Sequence, residues 1–301
     1  MRRRTFLAAL GGAAVARPLA AAAQQPTAIP RIGVLMGANP TVEAARLGAF
    51  RGALERLGYS DGQTILIELR YAEGHIDRFD GLARELVALA PAVIACVGTP
   101  ETRALQAATR SIPIVFMQAQ DPVELGFVAS LARPGGNTTG FSMMSAELDA
   151  KRLELLHEIA PSLSRAAFLI NPGTSPPGLA KRLADAEAAA SEALLVQGDP
   201  LLSGTESRRI IDFAVAHRLP TVFENNSVVA RGGLLSYGPD LLANARLAAG
   251  YVDKILKGAS PADLPVQQSV KFVLAINLNT AKELGLTVPQ SITYRADEVI
   301  E

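Results

Sequence analysis

The chain has 301 residues, 49% of them hydrophobic, and equal numbers of basic and acidic side chains, 29 of each. A chain without a basic excess lacks the charge that a phosphate backbone requires, so the composition argues against a nucleic-acid partner. The single cysteine, Cys96, excludes an intrachain disulfide and a cysteine metal cluster. Its position in the apolar run AVIACVG predicts a buried strand residue.

The first 23 residues have the order of an export signal. Arg2, Arg3 and Arg4 precede an Ala/Gly/Leu-rich run and a small-residue stretch that ends at Ala23. The run is too short to span a membrane, which predicts cleavage near Ala23 and a periplasmic mature chain that does not insert into the membrane. The Arg-Arg-x-Phe-Leu order favours twin-arginine export, with an ordinary Sec signal as the alternative. This segment holds four arginines and no acid, so the mature chain carries a net charge of about −4.

Predicted strands and helices alternate along the first half of the chain. The apolar run IGVLM predicts a buried strand followed by an amphipathic helix. Residues 65–72, ILIELRYA, alternate apolar and polar side chains as a half-buried edge strand does. A helix near 77–90, the strand VIACV, a helix from Glu101 and the strand PIVFM continue the rhythm. This order predicts α/β lobes with doubly wound parallel sheets.

Three landmarks of the first half recur in the same order in the second half. The pairs are RIGVLMGANP (31–40) with RAAFLINP (165–172), VIACVGTP (93–100) with ALLVQGDP (193–200), and RSIPIVF (110–116) with HRLPTVF (217–223). The repetition indicates two lobes built on one plan. Two such lobes that face each other across a cleft are typical of proteins that close on a small ligand.

The second lobe is predicted to be short by one strand-helix unit. Arg31 and Gly98 are 67 residues apart, whereas Arg165 and Gly198 are 33 apart. The missing 34 residues match the counterpart of ILIELRYA and its helix. In the strand order 2-1-3-4-5 that unit lies at the edge of the sheet, so its loss leaves the strand at 165–170 as an open edge.

Three segments are predicted to carry the chain between the lobes. ARPGGNTTGFSMM (132–144) is a Gly- and Asn-rich crossing, LLSYG (234–238) starts the return, and ILKGASPADLPVQQ (255–268) leads to a third crossing. Three crossings restrict the motion to a hinge. The predicted bounds are 31–140 with 238–267 for lobe 1, and 141–237 with 268–301 for lobe 2.

Polar side chains follow the strands at the carboxyl edge of each predicted sheet, where ligands of open α/β sheets bind. The ligand-binding candidates are Asn39, Thr99, Gln120 and Asp121 in lobe 1, Asn171, Asp199 and Glu224 in lobe 2, and Tyr237 at the hinge. For an amino-acid ligand, Thr99 and the backbone N–H groups opening the helix at Glu101 would bind the carboxylate. Asp121, Asp199 or Glu224 would bind the ammonium group.

Each of these candidates has an alternative role in the fold. Thr99 and Asp199 precede proline and are good helix N-caps, and an Asn-Pro pair is good turn chemistry. Tyr237 either stacks on a ligand or fills the hinge. No metal is expected, since His75, His157 and His217 lack metal-ligand spacing, and no cofactor is expected, since phosphate-loop and nucleophile-elbow motifs are absent.

Four long segments carry a resemblance to a known family. They are QDPVELGFVASLARPGGNTTGFS (120–142), ELDAKRLELLHEIAPSLSRAAFLINP (147–172), GGLLSYG (232–238) and ILKGASPADLPVQQSVKFVLAINLNTAKELGLTVP (255–289). The chain resembles the bacterial ABC-transporter substrate-binding proteins of the tryptophan/tyrosine type, which have a type I periplasmic-binding fold. The resemblance implies capture of a small solute, often an aromatic or related amino acid, and its delivery to an ABC permease in the inner membrane.

The chain departs from the family pattern in two places. It lacks the second strand-helix unit of lobe 2, and Asn225 and Asn226 follow Glu224 where relatives often have an aromatic residue and an arginine. We still expect a monomeric binding protein that works by hinge closure, and not an enzyme. An exported ligand-sensing module and a periplasmic α/β enzyme are the alternatives.

Overall fold

The computed structural model describes residues 29–143, 145–170, 190–198 and 201–301. The predicted export signal at 1–23 and two predicted ligand-binding residues, Asn171 and Asp199, lie outside these residues. Within them, no helix combines the length and the apolar character that crossing a membrane requires.

Strands and helices alternate along the described chain. The strands are β1 Arg31–Met36, β2 Leu66–Tyr71, β3 Val93–Cys96, β4 Ile114–Gln120, β5 Thr138–Met143, β6 Ala166–Leu169, β7 Ala193–Val196, β8 Thr221–Phe223, β9 Leu235–Pro239, β10 Gln267–Gln268, β11 Phe272–Asn277 and β12 Glu298–Ile300. The helices are α1 Pro40–Arg56, α2 Phe79–Ala88, α3 Thr99–Ala108, α4 Ser145–Ile159, α5 Ser207–Ala216, α6 Asn226–Val229, α7 Leu241–Leu256, α8 Leu278–Glu283 and α9 Gln290–Arg295.

The first sheet has the order β10-β5-β4-β3-β1-β2, and all its neighbouring strands are parallel. It contains the predicted 2-1-3-4-5 order, with β2 at one edge and half-buried along its whole length. Helices α1 and α7 cover one face, and α2 and α3 cover the other. Cys96 is fully buried in β3, as predicted, and burial raises the pKa of its thiol.

The second sheet has the order β12-β11-β9-β8-β7-β6 and is parallel except between β9 and β11. In the first sheet β1 lies between β2 and β3, whereas its counterpart β6 has only β7 beside it among the described strands. Phe168 and Ile170 at this edge are 50% and 44% exposed. The described strands therefore agree with the prediction that the second lobe lacks one strand.

The chain passes between the two sheets three times: after β5, after β9 and after β10. The crossings are joined to each other by hydrogen bonds. The Ser269 N–H donates to the Ser142 carbonyl (3.2 Å), and Lys271 Nζ lies 2.8 Å from Asp240 Oδ2. The three lobe bounds predicted from the sequence fall inside β5, β9 and β10 and stay predictions.

Candidate functional site

A cavity of about 180 Å³ lies between the two sheets. Its first-lobe wall comes from the turn after β1, from the first turns of α1 and α3, and from the end of β4. Its second-lobe wall comes from the residues after β7 and β8 and from a single π-helical turn at Leu201–Thr205. The cavity therefore occupies the carboxyl edges of both sheets, where the sequence predicted a ligand site.

The two lobes touch directly across this cavity. Gln197 Nε2, after β7, donates a hydrogen bond to Gln120 Oε1 at the end of β4 (3.1 Å). Beside it, Gly204 packs so closely on Ala38 that a Cβ added to the glycine would lie 3.3 Å from the alanine Cβ. The structure is thus a closed arrangement of the lobes.

Thr99 and Gln120, both predicted from the sequence, line the cavity next to each other. Thr99 is the first residue of α3, and its hydroxyl oxygen accepts a hydrogen bond from the Gln120 backbone N–H (3.0 Å). That bond joins the start of α3 to the end of β4 and leaves the hydroxyl proton available to a further acceptor.

The start of α3 is occupied by a carboxylate of the chain itself. Glu101 is fully buried in the cavity lining, and its Oε2 accepts a hydrogen bond from the Gly98 N–H (3.1 Å). Burial raises the pKa of Glu101 to about 7, against the opposing effect of the hydrogen bonds from its own backbone N–H and from Gly98. The sequence predicted that a ligand carboxylate binds at this helix end. In the structure, such a carboxylate would lie beside the carboxyl group of Glu101.

A charged pair, Glu43 and Arg46, enters the cavity from the first two turns of α1. Glu43 is buried, and its Oε1 accepts a hydrogen bond from the Ala38 N–H (3.2 Å). The Arg46 guanidinium forms an ion pair with the same carboxylate. Both side chains line the cavity.

Glu224, predicted as a ligand residue, lies buried in the second-lobe wall directly after β8. Its Oε1 is 3.4 Å from Nη1 of Arg152, a side chain that is only 1% exposed. Arg152 also donates to Asp149 Oδ1 (2.6 Å) and to the Tyr237 carbonyl oxygen (2.8 Å). The guanidinium therefore joins α4 and β9 to the base of the cavity.

Three predicted residues lie outside the lining of the cavity. The Asn39 side chain caps α1 by accepting from the Val42 N–H (3.0 Å). Asp121 is exposed in the turn after β4, with a φ of +36°. The Tyr237 ring packs on the core of the second lobe and stacks on Phe272, with ring centroids 5.9 Å apart. The geometry favours the structural alternatives for Asn39 and Tyr237.

No aromatic side chain lines the cavity among the described residues. Asn225 lines it and caps α6, whereas Asn226 points to Glu298 and bonds its Oε1 (2.8 Å). Residues 171–189 contain no aromatic residue in their sequence. The apolar part of the wall is aliphatic, as in Val42, Ile76, Val97 and Leu241.

Sequence reasoning missed Glu43, Arg46, Glu101 and Arg152. Most of the predicted residues directly follow a strand, whereas three of these four lie in the first two turns of the helix that follows a strand. Side chains on that part of a helix reach the same carboxyl edge of the sheet. The signal for Glu43, Arg46 and Glu101 in the sequence is therefore a charged residue in the first two turns of a helix that follows a strand. Arg152, in the middle of α4, gave no such signal.

Comparison with known proteins places the chain in a family. The family model described as ABC transporter substrate binding protein matches residues 34–197 and 181–300. A tyrosine-binding protein of Clostridioides difficile (strain R20291) is 26% identical over 276 residues, which cover 82% of this chain and 78% of that protein.

Solved structures share the fold, a type I periplasmic-binding fold of two α/β lobes. A conserved domain protein from Vibrio cholerae is 28% identical with a TM-score of 0.80, and an ABC domain in complex with L-Trp from Streptococcus pneumoniae is 24% identical with a TM-score of 0.77. Each alignment covers 90% of this chain and 99% of the other. The family match spans both sheets and the cavity between them, and the chain belongs to the ABC transporter substrate-binding protein family.

Proposed function

We propose that this protein is the exported solute-binding component of an ABC importer. It captures a small solute in the cavity between its lobes and delivers it to a permease of the inner membrane. Aromatic and related amino acids are the first solutes to test, since one relative is a tyrosine-binding protein and one structural neighbour holds L-Trp. The order of residues 1–23 supports a periplasmic location.

The observation that carries the proposal is the composition of the cavity wall. Both lobes contribute polar side chains to it, and Gln120 and Gln197 meet across it. A solute bound there contacts both lobes only when they are closed. Its binding therefore shifts the open–closed equilibrium by its differential affinity for the two states, about 3 kcal/mol for a two-hundredfold preference.

Thermal melting of the chain from residue 24 onward tests the proposal. L-tyrosine, L-tryptophan and a panel of other amino acids and amines are added over a range of concentrations. A solute that binds only the folded state stabilises it by about 2.7 kcal/mol at a hundredfold excess over Kd, so the melting temperature rises with concentration.

The matched variants for this test are Gln197→Ala in the cavity wall and Gly48→Ala on the exposed side of α1. We expect the first to weaken the ligand-induced shift and the second to leave it unchanged. A cooperative melt that no solute of the panel moves would contradict the proposal.

A further inference from the structure

The geometry points to Glu101 as the residue that selects the charge of the solute. We propose that the cavity takes a small organic cation, with an ammonium or amidinium N–H of the solute donating to Glu101 Oε1. This inference rests on the proposed function and deepens it, because it assigns a chemical class to the ligand of the same cavity.

The first argument is the unequal state of the two carboxyl oxygens of Glu101. Oε2 accepts from the Gly98 N–H (3.1 Å), whereas Oε1 is buried and has no hydrogen-bond partner among the described residues. The side chain as a whole is 0% exposed and belongs to the cavity lining. A buried acceptor without a partner is costly, and the bond to Gly98 holds the carboxyl group in place. A donor on the solute would satisfy this acceptor.

The second argument is the balance of charge around the cavity. Three carboxyl groups line the described wall, those of Glu43, Glu101 and Glu224, together with one guanidinium, that of Arg46. Arg46 is paired with Glu43, and Arg152 is paired with Glu224. Glu101 has no ion-pair partner among the described residues, so a solute cation supplies the charge that the wall lacks.

The third argument is that the described wall offers a cation no charged or aromatic partner other than its carboxyl groups, and those of Glu43 and Glu224 already belong to ion pairs. The described lining has no aromatic ring on which a cation could stack, and its apolar part is aliphatic. Recognition of a protonated nitrogen therefore depends on a carboxylate. A charge-assisted hydrogen bond to a buried carboxylate supplies both the attraction and the direction.

Titration of Glu101 makes the proposal measurable. The charged and titratable groups around it are Glu43 and Arg46 from α1, Cys96 from β3, and Glu224 from across the cavity. Because burial raises the pKa of Glu101 to about 7, most molecules carry a proton there at pH 6. A cation that binds the carboxylate displaces that proton, so affinity rises about tenfold between pH 6 and pH 8.

Isothermal titration calorimetry tests this on the chain from residue 24 onward. The cationic probes are tyramine, putrescine and L-arginine, and the anionic counterparts are 3-(4-hydroxyphenyl)propionate and succinate. Titrations at pH 6 in two buffers of different ionisation enthalpy measure the protons released. We expect a cationic probe to bind with release of most of one proton, and Glu101→Gln to lower its affinity about 10- to 100-fold and abolish the release.

The control is Glu55→Gln, an exposed acid of α1 outside the lining, which should bind as the wild type does. The inference is overturned if Glu101→Gln binds cationic probes as tightly as the wild type, or if only anionic probes, tyrosine or tryptophan bind without proton release. In those cases the cavity still takes a solute and the proposed function stands. Absence of binding by every cationic probe overturns the inference, and the proposed function fails with it only if no solute of the melting panel stabilises the protein. If Glu101→Gln fails to fold, the wild type alone tests the inference. Release of most of one proton when a cationic probe binds supports it, and binding without proton release overturns it.

Discussion

At the residue scale, Glu101 is subject to two opposing effects. Its position in the first turn of α3 and its hydrogen bond to Gly98 favour the carboxylate. Its complete burial favours the neutral acid. Burial is the larger effect, because the pKa of Glu101 is raised to about 7. A buried carboxyl group with a strongly raised pKa is typical of a binding site.

The free energy of unfolding should therefore depend on pH through Glu101. The pKa is about 7 in the folded state and 4.5 in the reference state, so the folded state binds more protons between these values. Glu101 therefore contributes about 3 kcal/mol to the free energy of unfolding at low pH. This contribution is lost as pH rises through 7. Between pH 5 and pH 8 we expect Glu101→Gln to gain about 2 to 3 kcal/mol of stability relative to the wild type.

Urea denaturation at the two pH values measures this difference. Glu55→Gln, on the exposed side of α1, is the control and should change stability by no more than about 0.5 kcal/mol at either pH. An equal effect of Glu101→Gln at pH 5 and pH 8 would show that the buried carboxyl does not titrate in this range.

Arg152 makes a second residue-scale prediction. Its guanidinium is buried against Glu224 and also bonds Asp149 and the Tyr237 carbonyl. Removing one partner of a buried ion pair costs about 3 to 5 kcal/mol, since the other charge stays buried. We expect Arg152→Met to destabilise by about 3 kcal/mol and Arg152→Met with Glu224→Gln to destabilise less. A double-mutant cycle by urea denaturation checks this, and strictly additive effects would refute the coupling.

At the scale of elements, β5 and β9 each depend on a glycine next to a crossing. Gly140 has a φ of +150°, and a Cβ there would lie 2.0 Å from the Phe116 carbonyl oxygen. A Cβ on Gly238 would lie 1.9 Å from the Glu224 carbonyl oxygen. Such distances demand that the backbone move. The glycines thus allow β5 and β9 to approach their neighbours at the points where the chain leaves each sheet.

We expect Gly140→Ala and Gly238→Ala each to destabilise the fold by about 3 kcal/mol or more. The matched control is Gly48→Ala in α1, where nothing lies within 4 Å of the added Cβ. There alanine should stabilise by about 0.5 to 1 kcal/mol, because it restricts the unfolded chain and suits a helix. Thermal melts of the three variants compare them; a neutral Gly140→Ala would show that β5 can shift freely.

At the scale of the whole molecule, closure brings together small and polar surfaces. Ala38 and Gly204 meet so closely that a Cβ on Gly204 would lie 3.3 Å from the Ala38 Cβ, and Gln120 bonds Gln197 beside them. The three linked crossings leave rotation about the hinge as the available motion. A bulky residue at Gly204 should therefore hold the lobes apart.

We expect Gly204→Leu to raise the radius of gyration measured by small-angle X-ray scattering and to weaken solute binding at least tenfold. Gly250→Ala in α7, where the added Cβ has nothing within 4 Å, should leave both unchanged. If Gly204→Leu keeps the wild-type scattering curve in the presence of a bound solute, the contact does not control closure.

The sequence by itself determined the two-lobe plan, the half-buried edge strand β2 and, among the described strands, a strand β6 with one neighbour where β1 has two. These follow from local patterns, since apolar runs, polar strand ends and a duplicated order of landmarks are properties of neighbouring residues. It also located Thr99, Gln120 and Glu224 at the cavity, because the carboxyl end of a parallel strand has a fixed place in the sheet.

Only the tertiary structure decided which polar groups are already engaged. Asn39 caps its own helix, Tyr237 packs on the second lobe, and Arg152 reaches Glu224 across 72 positions of the chain. Glu101 resembles an ordinary helix-start acid in sequence, yet it lies fully buried at the cavity, and one of its oxygens has no hydrogen-bond partner in the described part of the chain. Burial and partnership depend on elements distant in the chain, and these set the charge that a side chain carries and the ligand that it can bind.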